Sequence, residues 1–159
     1  MRRFVATAAA LGAVGALAIT GFGSASAGVA RAQKAVTVST RNVHGLGLVL
    51  VDSRGRTLYM FVPDKRKKVT CVSAACLALW PPLKLPAGAK AVATGAAKQA
   101  LVSSVPNPKG GKVVTYARWP LYTYAGDTKP GQANGQALNS TGGLWYVLSP
   151  AGVVIKKKP

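Results

Sequence analysis

A seven-residue segment occurs twice in this chain, as Leu58-Tyr59-Met60-Phe61-Val62-Pro63-Asp64 and, 63 positions later, as Leu121-Tyr122-Thr123-Tyr124-Ala125-Gly126-Asp127. Both copies read L-Y-x-aromatic-x-x-D. Each follows a strand-like run and is followed by a loop and a Trp, Trp80 in the first case and Trp145 in the second. A spacing of 63 is long for a solenoid unit, so the echo predicts two related hairpin units rather than an array. Side chains alternate between the two faces of a strand. Tyr59 and Phe61 therefore share one face, Met60 and Val62 share the other, and Tyr122 and Tyr124 repeat the geometry.

Period-two patterning dominates the rest of the chain. Val36 to Ser39 and Leu46 to Val51 read as strands, and Asp52-Ser53-Arg54-Gly55 carries Asp and Gly at the first and fourth positions of a type I turn with a glycine bulge. That turn returns the chain into Arg56 to Val62. Ala74 to Trp80 is the best short helix, stopped by Pro81 and Pro82. Lys84 to Lys98 is rich in Ala, Gly and Lys and reads as a connection, with a helical turn over Ala96 to Leu101 and a strand at Val102 to Val105. Lys112 to Tyr116, Pro120 to Tyr124 and a last hairpin, Leu144 to Leu148 with Val153 to Lys156, complete the series. The expected fold is all-β and mainly antiparallel, with one or two short helical turns and two related hairpin units in one compact domain.

The first residues predict export. Arg2 and Arg3 precede an apolar run from Phe4 to about Ile19, and Ala25-Ser26-Ala27 supplies a small-residue cleavage signal. The expected organisation is a signal peptide over 1–27, an N-terminal segment and first strand over 28–45 and a first motif repeat over 46–83. A connection over 84–111 then leads to a second repeat with a basic tail over 112–159. The apolar run falls short of the ~20 residues that span a bilayer, and no Cys follows it to accept a lipid. A secreted or envelope-associated product without a transmembrane anchor is therefore expected.

Charge narrows the chemistry. The chain has 21 Lys and Arg against three Asp and no Glu, a formal +18, or +16 once Arg2 and Arg3 leave with the leader. Acid/base work by paired carboxylates must draw on Asp52, Asp64 and Asp127, and imidazole chemistry on His44 alone. The excess creates a long-range positive field that favours anionic polymers or lipid headgroups. It is concentrated in Lys65-Arg66-Lys67-Lys68 and in Lys156-Lys157-Lys158. No basic recognition helix or aromatic RNA-binding signature accompanies it, which argues against nucleic acid.

Cys71 and Cys76 are the only cysteines. In an exported chain they predict a local disulfide, closed by a turn through Val72 to Ala75 before the helix begins. A reactive dithiol is the alternative reading, and two thiolates fall short of a structural zinc shell. Asp127, Gln132, Asn134 and Gln136 offer oxygens in one loop, but their spacing is not that of an EF-hand, and a polar turn is the expectation. His44 has no paired ligand, and Met60 offers only a thioether. No metal or other cofactor is implied.

Taken in order, Tyr59-x-Phe61-x-x-Asp64, Cys71 to Cys76 with Leu79-Trp80-Pro81-Pro82-Leu83, Trp119-Pro120-Leu121-Tyr122-x-Tyr124-x-x-Asp127 and Gly143-Leu144-Trp145-Tyr146-Val147-Leu148-Ser149-Pro150 resemble a bacterial secreted-repeat family of predicted lipoproteins known by its Yx(F/W/Y)xxD motif. The resemblance covers roughly residues 46 to 153 and implies an envelope or extracellular address without assigning a biochemical role. Two features depart from the family pattern. There is no lipid-anchor Cys, and the turn before Trp119 is Ala117-Arg118, where a pair containing Gly would turn more easily.

The motif residues Tyr59, Phe61, Asp64, Tyr122, Tyr124 and Asp127 admit two roles. As architecture, the rings bury apolar area and each Asp accepts backbone N–H groups where its strand ends. As a site, the same groups line a cleft for a sugar or flat ligand. Architecture is the favoured expectation, with a non-enzymatic interaction module as the function. The competing class is a small enzyme or redox protein using Asp64 with Asp127, or Cys71 with Cys76.

Overall fold

A computed structural model describes residues 34–158, and the signal peptide read over 1–27 lies outside them. The strands are β1 (Ala35–Val43), β2 (Gly47–Val51) and β3 (Tyr59–Phe61), then, after the helix α1 (Ala74–Leu79), β4 (Lys84–Leu85), β5 (Lys90–Ala93), β6 (Val102–Pro106), β7 (Lys112–Tyr116), β8 (Trp119–Pro120), β9 (Asn139–Ser140), β10 (Gly143–Leu148) and β11 (Val154–Ile155). Single 3-10 turns at Val62–Asp64 and Gln99–Leu101 add little helix, so the all-β class holds. The sheets run β2-β1-β5, β11-β10-β3 with β9 on β10, and β4-β7-β6 with β8 on β7. All these pairings are antiparallel except β1 with β5.

Three turns share one construction. In Asp52–Gly55, Asn107–Gly110 and Ser149–Gly152 the Gly amide donates to the first residue's carbonyl at 2.9, 2.8 and 2.8 Å. The first residue's amide donates to the carbonyl just beyond the Gly, at 2.9, 3.0 and 2.9 Å. Each Gly has positive φ (77°, 93° and 77°), the conformation that a bulged type I hairpin requires and that glycine adopts without a Cβ penalty. Asp52 and Asn107 reinforce the turn by accepting the amides of Arg54 and Lys109.

The return strand of the first hairpin divides its allegiance. Thr57 bridges Val51 and Leu58 donates to Leu50, but β3 itself pairs with β10, setting Phe61 opposite Trp145 and Tyr59 opposite Val147. Its faces feed two cores, as the alternation predicts: Tyr59 and Phe61 join Trp80, Tyr122 and Trp145, while Met60 joins Leu50, Leu58, Val114 and Leu121. Val62, expected on the Met60 face, instead opens a 3-10 turn and is substantially exposed. Pro63, early in that turn, has no N–H for continued strand pairing and a φ suited to the turn.

The Ala/Gly/Lys-rich connection contributes more strand than its composition suggests. β5 pairs in parallel with β1, Ala35 opposite Lys90 through Val38 opposite Ala93, and Gln99 pins it by accepting the Ala93 amide and donating to Ala91 O. The helix is built as expected. Ser73 caps it by accepting the Cys76 amide, the Cys71–Cys76 disulfide ties the segment before the helix to its first turn, and Trp80 N–H donates back to Cys76 before Pro81 and Pro82 prevent continuation.

Ala117 and Arg118 form a two-residue hairpin turn, with Tyr116 opposite Trp119, although neither is glycine; both adopt left-handed backbone at φ 46° and 73°. A left-handed non-glycine residue costs ~1–2 kcal/mol, and glycine returns ~0.5–1 kcal/mol of that as unfolded-state entropy. Arg118→Gly is therefore expected to stabilise the domain by about 0.5–1 kcal/mol, read as a higher urea midpoint at unchanged slope.

Candidate functional site

The two motif copies meet at their first aromatic residue. Tyr59 and Tyr122 form an antiparallel bridge, each donating its amide to the other's carbonyl at 2.8 and 2.9 Å. The motif's Tyr–Asp hydrogen bonds and its ring stacking then cross between repeats. The Tyr59 hydroxyl donates to Asp127 at 2.6 Å, and the Tyr122 hydroxyl donates to Asp64 at 2.7 Å. Tyr59 lies opposite Val147, two residues after Trp145, and Tyr122 lies opposite Pro82, two residues after Trp80. The second pairing is shorter because Pro81 and Pro82 have no N–H to donate, so Pro81 serves only as acceptor for Thr123.

The rings follow the same exchange. Trp80 and Trp145 stack with centroids 3.9 Å apart and planes 1° from parallel. Phe61 of the first motif stacks on Trp145 of the second at 4.1 Å, and Tyr124 of the second stacks on Trp80 of the first at 4.4 Å. The result is a four-ring column, Phe61, Trp145, Trp80, Tyr124. Tyr59 and Tyr122 meet its central pair edge-on, at 5.5 and 5.1 Å. Gly135 passes so close to this column that a Cβ there would come within 2.7 Å of Trp80 and 3.0 Å of Tyr59.

Each Asp has further donors. Asp64 accepts the amide and hydroxyl of Thr70 at 2.8 and 2.7 Å; Asp127 accepts the Asn134 amide at 2.9 Å, and Tyr59 Oη also accepts the Gly135 amide. Asp64 is 0% exposed and Asp127 5%. Burial pushes both carboxyls above the usual carboxylate range, against hydrogen bonds from Thr70 and Tyr122 on Asp64 and from Tyr59 and Asn134 on Asp127. Burial, reinforced by the facing Asp, drives both Tyr hydroxyls far above the phenol range.

These directions fix a pH dependence. An acid whose folded pKa is raised contributes stability that is complete below its unfolded pKa, ~3.9 for Asp and ~10 for Tyr, and is lost as pH rises through the folded value. Titration of Asp64 and Asp127 should therefore make the domain at least as stable at pH 3 as at pH 7. The Tyr pair should weaken it only in strong alkali. Urea unfolding at pH 3 and pH 7 checks the acid limb; a midpoint that drops on acidification would contradict it.

The other sequence candidates lie elsewhere. Cys71 and Cys76 are bonded and buried beside Trp80. Gln132 and Asn134 serve their own loop, through Thr128, Lys129 and Gly126, while Gln136 accepts the Val147 amide and donates to Ile155 O and Lys157 O, which holds the basic tail. His44 sits exposed in the β1–β2 turn, and Met60 is buried in the second core. Among the described residues no group of three or more His, Cys, Asp or Glu is placed to hold a metal.

Two cavities that include polar side chains in their lining lie outside the motif. One of about 600 Å3 runs along β1 and the first turn, with Thr37, Ser39, Arg41, Asp52 and Ser53. The other, about 400 Å3, lies beside the β6–β7 hairpin, between Lys67 and Arg118. None of the six motif residues lines either cavity. Sequence reasoning missed the second, because only the fold brings Lys67 to Arg118: the Lys67 amide donates to the Arg118 carbonyl at 2.7 Å.

A family model described as a secreted repeat of unknown function matches residues 42–84 and 103–149, more than half of the chain. The two matched segments each contain one motif, one Tyr–Asp set and one Trp of the column. No curated protein and no solved structure matches the chain. Among the described residues no helix is long and apolar enough to cross a membrane.

Proposed function

The chain belongs to this family of secreted repeats, and on that premise we propose that it is a non-enzymatic interaction module of the cell envelope or extracellular space that binds anionic polymers or surfaces. One observation carries the reading: the acids all point inward. The sequence has three acidic side chains, and Asp52, Asp64 and Asp127 are 6%, 0% and 5% exposed. Asp64 and Asp127 serve the crossed motif, and Asp52 its own turn and Arg56, with Arg56 Nη2 at 3.0 Å. The outer surface thus presents cations with no carboxylate side chains between them, so the field of the basic residues reaches solution without local cancellation. The motif residues, committed to one another, supply fold rather than ligand contacts.

The test is retention of the mature protein on isolated cell-envelope polymers across a salt series. Binding at low ionic strength that falls steeply as salt rises is expected, since screening shortens the field to ~8 Å at physiological strength. Failure to bind at low salt would overturn the proposal.

A further inference from the structure

We propose that the cavity between Lys67 and Arg118 is a binding site for phosphate groups, monoester or diester, and that it is where the general affinity for anions becomes specific. This rests on the interaction-module reading and locates it. The floor is the β6–β7 hairpin, in which Ser103 stands opposite Thr115 and Val105 opposite Val113 on one face. The loop after Asp64 covers only half of that face. Val69, with Val72 against it, packs on Val105 and Val113, leaving Ser103 exposed on the other half, opposite the buried Thr115. Lys67 from that loop and Arg118 from the β7–β8 turn stand at the rim, both exposed, while Thr115 is 1% exposed.

Two cations and no carboxylate line the cavity, together with Ser103, Ser104 and Thr115 and four small or apolar residues. Guanidinium and ammonium donors beside hydroxyl donors are the complement of a phosphate, whose oxygens only accept. The backbone gives an independent reason to single out this place. Among the described residues seven non-glycine residues have positive φ, and five of them fall in the two turns that bring the cations here: Lys65, Arg66 and Lys67 in one, Ala117 and Arg118 in the other. Left-handed non-glycine residues cost energy and persist where the surroundings over-determine them, often at ligand sites. Here the Lys67 to Arg118 hydrogen bond locks the turns together, and Arg66, next to Lys67, lies over the Trp119 ring, next to Arg118, at 5.5 Å.

The experiment is calorimetric titration of the whole mature protein with inorganic phosphate at low ionic strength. Wild type is compared with Lys67→Gln/Arg118→Gln, with Ser103→Ala, and with the tail variant Lys156→Gln/Lys157→Gln/Lys158→Gln. Saturable binding is expected, weakened at least tenfold in the double variant and severalfold by Ser103→Ala, and nearly unchanged in the tail variant although it loses more charge. Arg118→Gly guards against misfolding, because that substitution should raise stability while weakening phosphate binding. Undetectable wild-type binding, an unaffected double variant, or a tail variant that loses as much would overturn the site. Retention of wild type on envelope polymers without saturable phosphate binding would remove the site but spare the broader reading; wild type that fails in both assays would remove both. Parallel titrations with soluble polyphosphate and with phosphatidylglycerol vesicles show whether the phosphate that reaches the site belongs to a polymer or to a lipid headgroup, since only binding that the double variant loses counts as binding there.

Discussion

Asp64→Ala is expected to destabilise the domain by about 4 kcal/mol, a large fraction of the ~5–15 kcal/mol that holds a domain of this size together. The carboxylate accepts from the Tyr122 hydroxyl, the Thr70 amide and the Thr70 hydroxyl, in a position with no exposure to water. Alanine leaves all three donors without their acceptor, at ~1–3 kcal/mol for each buried group that finds no substitute. Asp127→Ala should act in the same direction with a smaller loss, because Asp127 accepts from the Tyr59 hydroxyl and the Asn134 amide and is slightly more exposed. Denaturant unfolding monitored by Trp fluorescence measures both. A change below ~1 kcal/mol for Asp64→Ala would show that the buried carboxylate has no structural task, and would reopen the reading of Asp64 as part of a site.

Trp145→Ala should cost about as much, ~3–5 kcal/mol, through a different mechanism. Its ring is one of the two central members of the column, in contact with Trp80, Phe61 and Tyr122. Removing it leaves a void whose walls come from both repeats, so neither can collapse on its own to fill it. Trp119 is the useful control. It lies outside the column, partly exposed, with Arg66 over its face. Trp119→Ala should cost distinctly less. Equal losses at the two positions would mean that the column has no special part in joining the repeats.

Much of this architecture was legible in the sequence. The duplicated motif announced two related units, the bulged turns announced themselves through Asp52 and Gly55, and Pro81 and Pro82 marked the end of the helix. These signals are local: a turn, a cap or a period is written in adjacent residues. The exchange between repeats is not local. Alternation places Tyr59 and Phe61 on one face, yet it does not say which strand lies beside them, and β3 pairs with β10 rather than staying with β2. The Trp in each repeat was visible as an echo, but nothing adjacent to Trp80 announces that its neighbours in the column come from the second copy. The parallel pairing of β5 with β1 escaped for a related reason, since Ala and Lys have weak strand propensity and the tertiary partner decides. The cavity between Lys67 and Arg118 was half visible, through Lys65 to Lys68; Arg118, 50 or more residues away, joins it only through the fold.

The crossed pairing of the motifs is the claim on which the account stands, and double-mutant cycles at the four motif residues test it directly. Tyr59→Phe combined with Asp127→Asn, and Tyr122→Phe combined with Asp64→Asn, should show coupling of about 1 kcal/mol or more, because each pair shares a buried hydrogen bond. Tyr59→Phe with Asp64→Asn, and Tyr122→Phe with Asp127→Asn, should add to within ~0.5 kcal/mol. Coupling found within each repeat and absent between repeats would contradict the exchange, and with it the conclusion that the motif exists to fasten one repeat to the other.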